Sequence, residues 1–598
     1  MAGDRAPCII RRILRRADDL TNMEVWKIYS KKADFAGISK QFQISPLLAR
    51  ILRNRDIEGP EQIRKYLHAD VSDLYDPFLM KGMEEGVRIT HDTIQNGGRI
   101  RIMGDYDTDG VCASYILEQF LTAAGAHADV RLPDRMSEGY GMSMVMAEEA
   151  NENKISLIIT CDNGISSFDA VEAARKYGID VVVTDHHEPT ENLPNANVII
   201  DAKQKDCSYP FRELCGAGVA YKFVQAYNRL FQTGLDDLLD DLLQYAGIAT
   251  IADIVPLKDE NRIFASEGIR RLRNTNSPGL LALAQERGMD MSFMDSRSIA
   301  YILSPCINSA GRLKNAGLAY ELLCEKDPQK ARMLAKELSE LNEQRKTMTS
   351  ACEREAIEMI RQKEQAGPSQ DSILVVFLPM AHESIAGILA GRLKDEYNRP
   401  AIVITRSQNA LKGSGRSIDS YNLIEGLREH PELFEKCGGH AKACGFTLKS
   451  AGTDEETVSR FAKCLNASCR QDLADLERVV WIDMALPFKY INEVFTKELD
   501  LLEPFGTDNE KPVFGQNKVT VLRKSILGRN RNVLKLSLQD ESGFVADGIM
   551  FGQEDHIRQQ YEKLEDGSLI SILYYPMINE FRGNTTPQAV ISAFRIME

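Results

Sequence analysis

The chain has 598 residues, 43% of them hydrophobic, more than one core organises, so three or four domains are expected. A formal net charge of −14 excludes a protein coated in basic surface, so any nucleic-acid contact must be local, a basic groove in an acidic exterior. Twelve cysteines without one C-x-x-C pair fit reduced thiols in a cytoplasm, and no stretch has the apolar length of a membrane span or the core of a secretory signal.

Residues 1–22 carry Arg11, Arg12, Arg15 and Arg16 ahead of Met23, where an ordinary globular pattern begins. They read as an over-extended start or frayed tail, with a basic arm on DNA as the alternative. From 35 to 95 the pattern is helical with a loop at Tyr75, Asp76 and Pro77, giving an N-terminal extension and helical region over 1–95. Then the period changes. Apolar runs ending at Met103, Ile159, Val183 and Ile200 alternate with helical segments over 111–125 and 167–178. That alternation predicts βαβ units and an α/β domain with a mainly parallel sheet over 96–275. Residues 234–272 look helical, broken at Ile254, Val255 and Pro256.

Connecting helices occupy 276–365. Asp327 as N-cap and Pro328 at the first helical position open a charged stretch that runs without Pro or Gly to about Gln365, and Gly367-Pro368 stops it. Apolar runs at 373–377 and 401–405 and the glycine-rich 413–415 mark a second α/β domain over 366–465. Short β-like runs at 518–522, 533–538, 569–574 and 588–592 predict a small β-barrel over 466–598.

Four acidic or histidine clusters follow apolar runs or sit at an apolar turn: Asp105, Asp107 and Asp109; Asp162; Asp185, His186 and His187; and Asp253. In a parallel sheet the carboxyl ends of the strands share one edge, so the first three clusters can converge there. Carboxylates with imidazole and no thiolate favour Mn²⁺ or Mg²⁺ over structural zinc, and the imidazole tilts the choice to Mn²⁺. The first cluster also opens like a calcium-binding EF-hand loop. Its twelfth position is Ile116 where a bidentate Glu is needed, and a strand precedes it. His382 and His440 lie in glycine-rich or acidic motifs and suit a packed or capping role as well as a phosphate contact. The segment Gly413–Ser417 offers backbone amides beside Arg416 for an anion, or a tight hairpin turn. Arg523, Lys524, Arg529, Arg531 and Lys535 flank a turn-like GRNRN, which suits phosphate tracking or a solvated loop.

Together these residues resemble the DHH phosphoesterases, whose motif is formed here by Asp185, His186 and His187. The resemblance covers nearly the whole chain. The order GDYDTDG, CDNG, TDHH, LCGAGVAYKF, IADIVPL, INSAGR, GSGRS, GGHAKACG and PFGTDNEKPVF is similar to the RecJ-type single-strand exonucleases of that superfamily.

The resemblance implies a hydrolase with two Mn²⁺ (or Mg²⁺) ions, held by Asp107, Asp109, Asp162, His186 and Asp253, with Asp105, Asp185 and His187 as direct or supporting partners. It also implies that Asn308, Arg312, Gly413, Ser414, Arg416, Gly439 and His440 hold the substrate backbone and its 5′ phosphate, and that an OB-like barrel, with Arg529 and Arg531, binds single strands. The implied activity is 5′-to-3′ exonuclease action on single-stranded DNA in repair and recombination. A single-strand-binding protein and a helicase are the protein partners to look for. The chain departs from the family pattern at Asp201-Ala202, Cys306 and Ala381, where Asn-Pro, Arg and Trp are common. The rival readings are a phosphodiesterase of short oligoribonucleotides or cyclic dinucleotides, and a non-catalytic DNA-binding scaffold.

Overall fold

The structure, a computed structural model, describes residues 24–597 apart from 136, 366–370, 408–409, 470–477 and 582–583. The basic arm considered for residues 1–22 lies outside the described residues. Strands are numbered in chain order, beginning with β1, Glu24–Ile28.

The expected parallel sheet is present as β2 (Arg99–Met103), β3 (His127–Arg131), β4 (Leu157–Cys161), β5 (Asp180–Thr184) and β6 (Val198–Ile200), in the order β3-β2-β4-β5-β6 with every pair parallel. Strand β3 is an addition to the sequence reading. The two-residue side-chain period divides the buried residues between two cores. Leu157, Ile159 and Val182 face the helices Thr108–Ala123 and Gly216–Phe231, while Ile158, Val181 and Val183 face Met144–Glu152 and Phe168–Lys176. Helices on both faces bury the sheet, which is why β4 and β5 read as unbroken apolar runs.

The helix Pro328–Gln365 runs for 38 residues, roughly 57 Å at 1.5 Å per residue. Its Ala331, Ala335 and Leu338 belong to the core of the parallel-sheet domain, whereas Ala356 and Ile360 belong to that of the next. That next sheet has the order β10-β11-β9-β8-β7, built from β7 (Leu374–Phe377), β8 (Ala401–Ser407), β9 (Ala410–Arg416), β10 (Phe434–Gly439) and β11 (Ala443–Leu448). Only β7 and β8 are parallel.

The C-terminal barrel comprises β13 (Met484–Ala485), β14 (Phe514–Leu527), β15 (Val533–Gln539), β16 (Val545–Phe551), β17 (Leu569–Phe581) and β18 (Asn584–Ile596), and pairing of β14 with β17 closes it. Segments far apart in the chain meet here. Strand β1 pairs in parallel with β12 (Arg478–Ile482), and Leu48, Ile51 and Leu52 of the helix Pro46–Asn54 share a core with Phe488, Phe514 and Leu536. No helix among the described residues is long and apolar enough to cross a membrane.

Candidate active site

The carboxyl edge of the parallel sheet carries the clusters. After β2, Asp107 caps the helix Thr108–Ala123, its Oδ1 accepting the backbone N–H of Asp109 at 2.9 Å and of Gly110 at 3.1 Å. Asp109 accepts the N–H groups of Gly216 and Ala217 at 2.6 and 2.7 Å, so the start of another helix orients its carboxylate. After β4, Asp162 takes a left-handed backbone, φ 62°, which Asp tolerates better than most residues. After β5, Asp185 accepts N–H groups from Ile165 at 2.9 Å and His186 at 2.7 Å and meets His187 Nδ1 at 2.8 Å. Asp253 arrives differently, from the end of the helix Asp236–Ala252.

His186 is the hub. Its Nε2 lies 3.0 Å from Asp162 Oδ1, 3.7 Å from Asp109 Oδ2 and 3.8 Å from Asp253 Oδ2. Three overlapping sets of donor atoms each fit within 4.8 Å: Asp162, His186 and His187; Asp109, His186 and Asp253; and Asp105, Asp107 and Asp162. All eight residues expected at the centre are thus at this edge, with Asp185 supporting His187.

Burial first, and mutual repulsion second, push the carboxyls of Asp105, Asp162 and Asp253 well above the ordinary range and that of Asp109 up to about 7. Burial, with repulsion from His187, lowers His186 to about 3, so its imidazole is neutral and offers a lone pair. Burial also opposes ionisation of Asp185, but its bonds to His187 and Ile165 outweigh it and hold it low. The Oδ1 of Asp105 is buried with no hydrogen-bond partner among the described residues. An orphaned oxygen within a set of concentrated, unneutralised carboxylates fits hard divalent cations. Thiolate is not on offer, since burial raises Cys161 to about 12 and Cys215 well above its usual value.

A cavity of about 420 Å³ lies in the cleft between the two α/β domains, lined by Tyr106, Arg135, Arg312, Ser384, Ser414 and Arg416 among others. Arg312 donates to the Ser384 carbonyl at 2.8 Å, and burial together with Arg135 and Arg345 lowers it to about 9. Burial and Arg135 likewise lower Arg416. Such crowded cations call for an anion.

The other expected contacts are less direct. Asn308 spends its Oδ1 on the N–H of Thr108 at 2.8 Å, which braces the acidic loop. The amides of Gly413–Arg416 are not a loop nest: β9 is paired on both sides, and Gly413 leaves room for the Phe446 ring. Ser414 does line the cavity. Gly439, φ 137°, turns the chain into His440, which is close enough to His187 to be lowered by it after desolvation. His382 caps the helix Glu383–Tyr397.

Arg529 and Arg531 are exposed on the β14–β15 hairpin and do not line the cavity. Of the five hairpin cations, Lys524 donates to the carbonyls of Tyr561 and Leu564, Lys535 pairs with Asp547 at 2.8 Å, and Arg531 faces Glu554 at 3.7 Å. Tyr106, Arg135 and Tyr140 were not expected. Recognising β3 would have pointed to the last two, which follow it at the same sheet edge. Tyr140 Oη donates to the Asp162 carbonyl at 2.9 Å and lies 3.0 Å from His187 Nδ1.

The DHH family N-terminal domain matches residues 99–250, the DHHA1 domain 370–471 and the RecJ OB domain 482–593. The chain is 37% identical to the single-stranded-DNA-specific exonuclease RecJ of Bacillus subtilis, over 96% of this chain and 71% of that protein. The chain belongs to the RecJ family. Its identity to RecJ of Escherichia coli is 30% over 92% of this chain and 96% of that one. The crystal structure of Thermus thermophilus RecJ with Mn²⁺ superposes with a TM-score of 0.79 at 25% identity, covering 96% of this chain and 80% of that one. A second RecJ structure from the same organism holds Mg²⁺ and gives a TM-score of 0.75. Cys306 and Ala381 are both buried. Cys306 Sγ meets Asn342 Nδ2 at 3.3 Å, and Ala381 joins an apolar core.

Proposed function

We propose that this chain is a metal-dependent exonuclease that hydrolyses single-stranded DNA from the 5′ end and releases mononucleotides. The observation that carries the proposal is the meeting of three overlapping carboxylate and imidazole sets at one sheet edge, facing a cleft lined by Arg135, Arg312 and Arg416. Two divalent ions bound there would lower the pKa of a shared water and stabilise the leaving oxygen. Asp107, Asp109, Asp162, His186 and Asp253 would hold them, with Asp105 completing the set. Asp185 fixes the His187 ring, and Tyr140 bridges His187 to the Asp162 backbone. Arg312 and Arg416 bind backbone phosphate, because a buried guanidinium without a carboxylate gains most from an incoming anion.

The barrel and the cleft favour a long strand over a dinucleotide, and retention of every acidic cluster disfavours a scaffold. The test is Mn²⁺ with end-labelled single-stranded DNA, an oligoribonucleotide and a cyclic dinucleotide in parallel. Cleavage confined to either of the last two, or full activity after exhaustive chelation, would refute the proposal.

A further inference from the structure

Asp253 is the one proposed metal-holding residue that does not come from the sheet edge, and it is the least enclosed of those around His186. Its side chain is 28% exposed, against 1% for Asp109, 4% for Asp162 and 9% for His186. It also sits before a strained turn. Ile254 has φ 61°, a left-handed backbone disfavoured for a β-branched residue, and it is 71% exposed, so its own packing does not hold it.

The turn is held instead by residues that lead into the barrel. Leu257 N–H donates to the Thr507 carbonyl at 2.8 Å, and Lys258 Nζ meets Asp508 at 2.7 Å. Gly506 lies so close that a Cβ there would stand 2.6 Å from Leu257 Cδ1. In the next helix, Arg262 donates to the carbonyls of Leu501 and Leu502 at 3.0 and 3.1 Å.

This support is itself hydrogen-bonded on several sides. Gly506 and Asn509 exchange backbone bonds at 3.1 Å, and the Asn509 amide donates to the carbonyls of Leu502 and Pro504 at 2.9 and 2.7 Å while accepting from Tyr66 at 2.7 Å.

We propose that the Gly506–Asp508 turn is a positioning element for Asp253. It sets that carboxylate against His186 and Asp109, and so makes metal affinity depend on how the barrel end of the chain is docked. The inference rests on the reading of Asp253 as a metal-holding residue. Supporting groups around metal sites commonly tune affinity by roughly 10–100-fold.

The test uses the full chain without DNA and reads Mn²⁺ affinity from the paramagnetic resonance signal of the free ion. Gly506→Val pushes Leu257 and is expected to weaken Mn²⁺ about tenfold, with unchanged metal-free melting temperature and unchanged DNA affinity in chelator. Gly506→Ala is expected to give a smaller loss of the same sign. Asp566→Ala, at an exposed position of the barrel that the binding argument does not use, should leave Mn²⁺ affinity alone. Mn²⁺ affinity within about twofold of wild type in folded Gly506→Val, or in Gly506→Ala if the larger change does not fold, would overturn the proposal. Asp253→Asn separates the two readings. If it too leaves Mn²⁺ affinity intact, the metal assignment of Asp253 fails; if it weakens binding while the Gly506 variants do not, only the positioning role fails.

Discussion

The Nε2 of His186 stands 3.0 Å from Oδ1 of Asp162, although the two residues come from the ends of different strands, and both side chains are buried. Each member belongs to two of the three donor sets, so removing either disrupts more than one set. His186→Ala and Asp162→Asn are expected to lower hydrolysis by more than the roughly 10–100-fold typical of a supporting partner, without loss of fold. Asn is the better substitution at 162 because it tolerates φ 62°, whereas Ala would add backbone strain. Nuclease assays and thermal melting on the same samples check this, and wild-type turnover in either variant would remove it from the site.

A second expectation concerns protons. Asp105, Asp162 and Asp253 are held well above the ordinary carboxylate range and Asp109 reaches about 7, while His186 is already neutral. Metal competes with protons for those oxygens, so binding near pH 6.5 should release protons and apparent Mn²⁺ affinity should rise between about pH 6 and pH 8. Calorimetry in buffers of differing ionisation heat counts them. Release of none at about pH 6.5 would mean that these carboxyls are already ionised in the metal-free chain.

The sequence exposed this centre because parallel strands buried on both faces are apolar runs, and three of the four acidic clusters directly follow one, Asp253 ending a helix instead. What it hid has physical reasons too. Strand β3 is an edge strand of partly exposed, mixed residues, His127, Asp129 and Arg131 among them, so no apolar run announces it. Without it, Arg135 and Tyr140 had no place at the sheet edge. The pairing of Trp26 with Val480, and of Leu48 with Phe514 in one core, joins residues more than 400 positions apart, which no local period reveals. GSGR looked like a turn because its glycines serve close packing within β9 rather than a bend.

Asp201 makes a pH prediction. It is fully buried, its Oδ1 accepts the Lys203 N–H at 2.7 Å, and its Oδ2 has no hydrogen-bond partner among the described residues. Burial raises it to about 7, with nearby Asp185 adding to the effect. Folding therefore raises this acid's pKa, and the folded chain binds more protons than the unfolded one from about pH 4 to pH 7. The stabilisation is fully present below the unfolded value and is lost as pH approaches 7. Asp201→Asn removes the titration, so its melting temperature relative to wild type should climb between about pH 5 and pH 8. A constant difference across that range would refute the argument.

The hairpin cations separate into two kinds. Arg523 and Arg529 are exposed and have no ion pair among the described residues, whereas Lys524 is occupied by two carbonyls. Arg529→Ala should weaken binding of single strands and flatten the dependence of log affinity on log salt by about 0.7, the effect of one phosphate contact. Lys524→Ala should instead lower the melting temperature. Ending the chain near residue 470 is a poorer test, because it would strip the barrel from Leu48, Ile51 and Leu52. An unchanged salt slope in Arg529→Ala would place the grip elsewhere.

Polarity is the remaining question, and the crowded arginines address it. Arg135 lowers both Arg312 and Arg416, so it repels each of them in the cleft. A terminal phosphate carries more charge than an internal one and relieves that repulsion most, so the cleft is expected to favour a phosphorylated end. The family resemblance implies that the end is 5′. Arg416→Ala is therefore expected to raise KM for a 5′-phosphorylated strand more than for its 5′-hydroxyl counterpart, with a smaller effect on kcat. The site must admit a strand between two domains, so blunt duplex should be attacked poorly, and a 5′ single-stranded overhang of any sequence should restore entry. Oligonucleotides labelled at either end, single-stranded, blunt or overhung, and sampled early in digestion, decide the matter. Early mononucleotide release from a 5′ label is the expected result. Shortening from the 3′ end, equal attack on blunt duplex, or equal KM changes for both 5′ termini in Arg416→Ala would overturn this account.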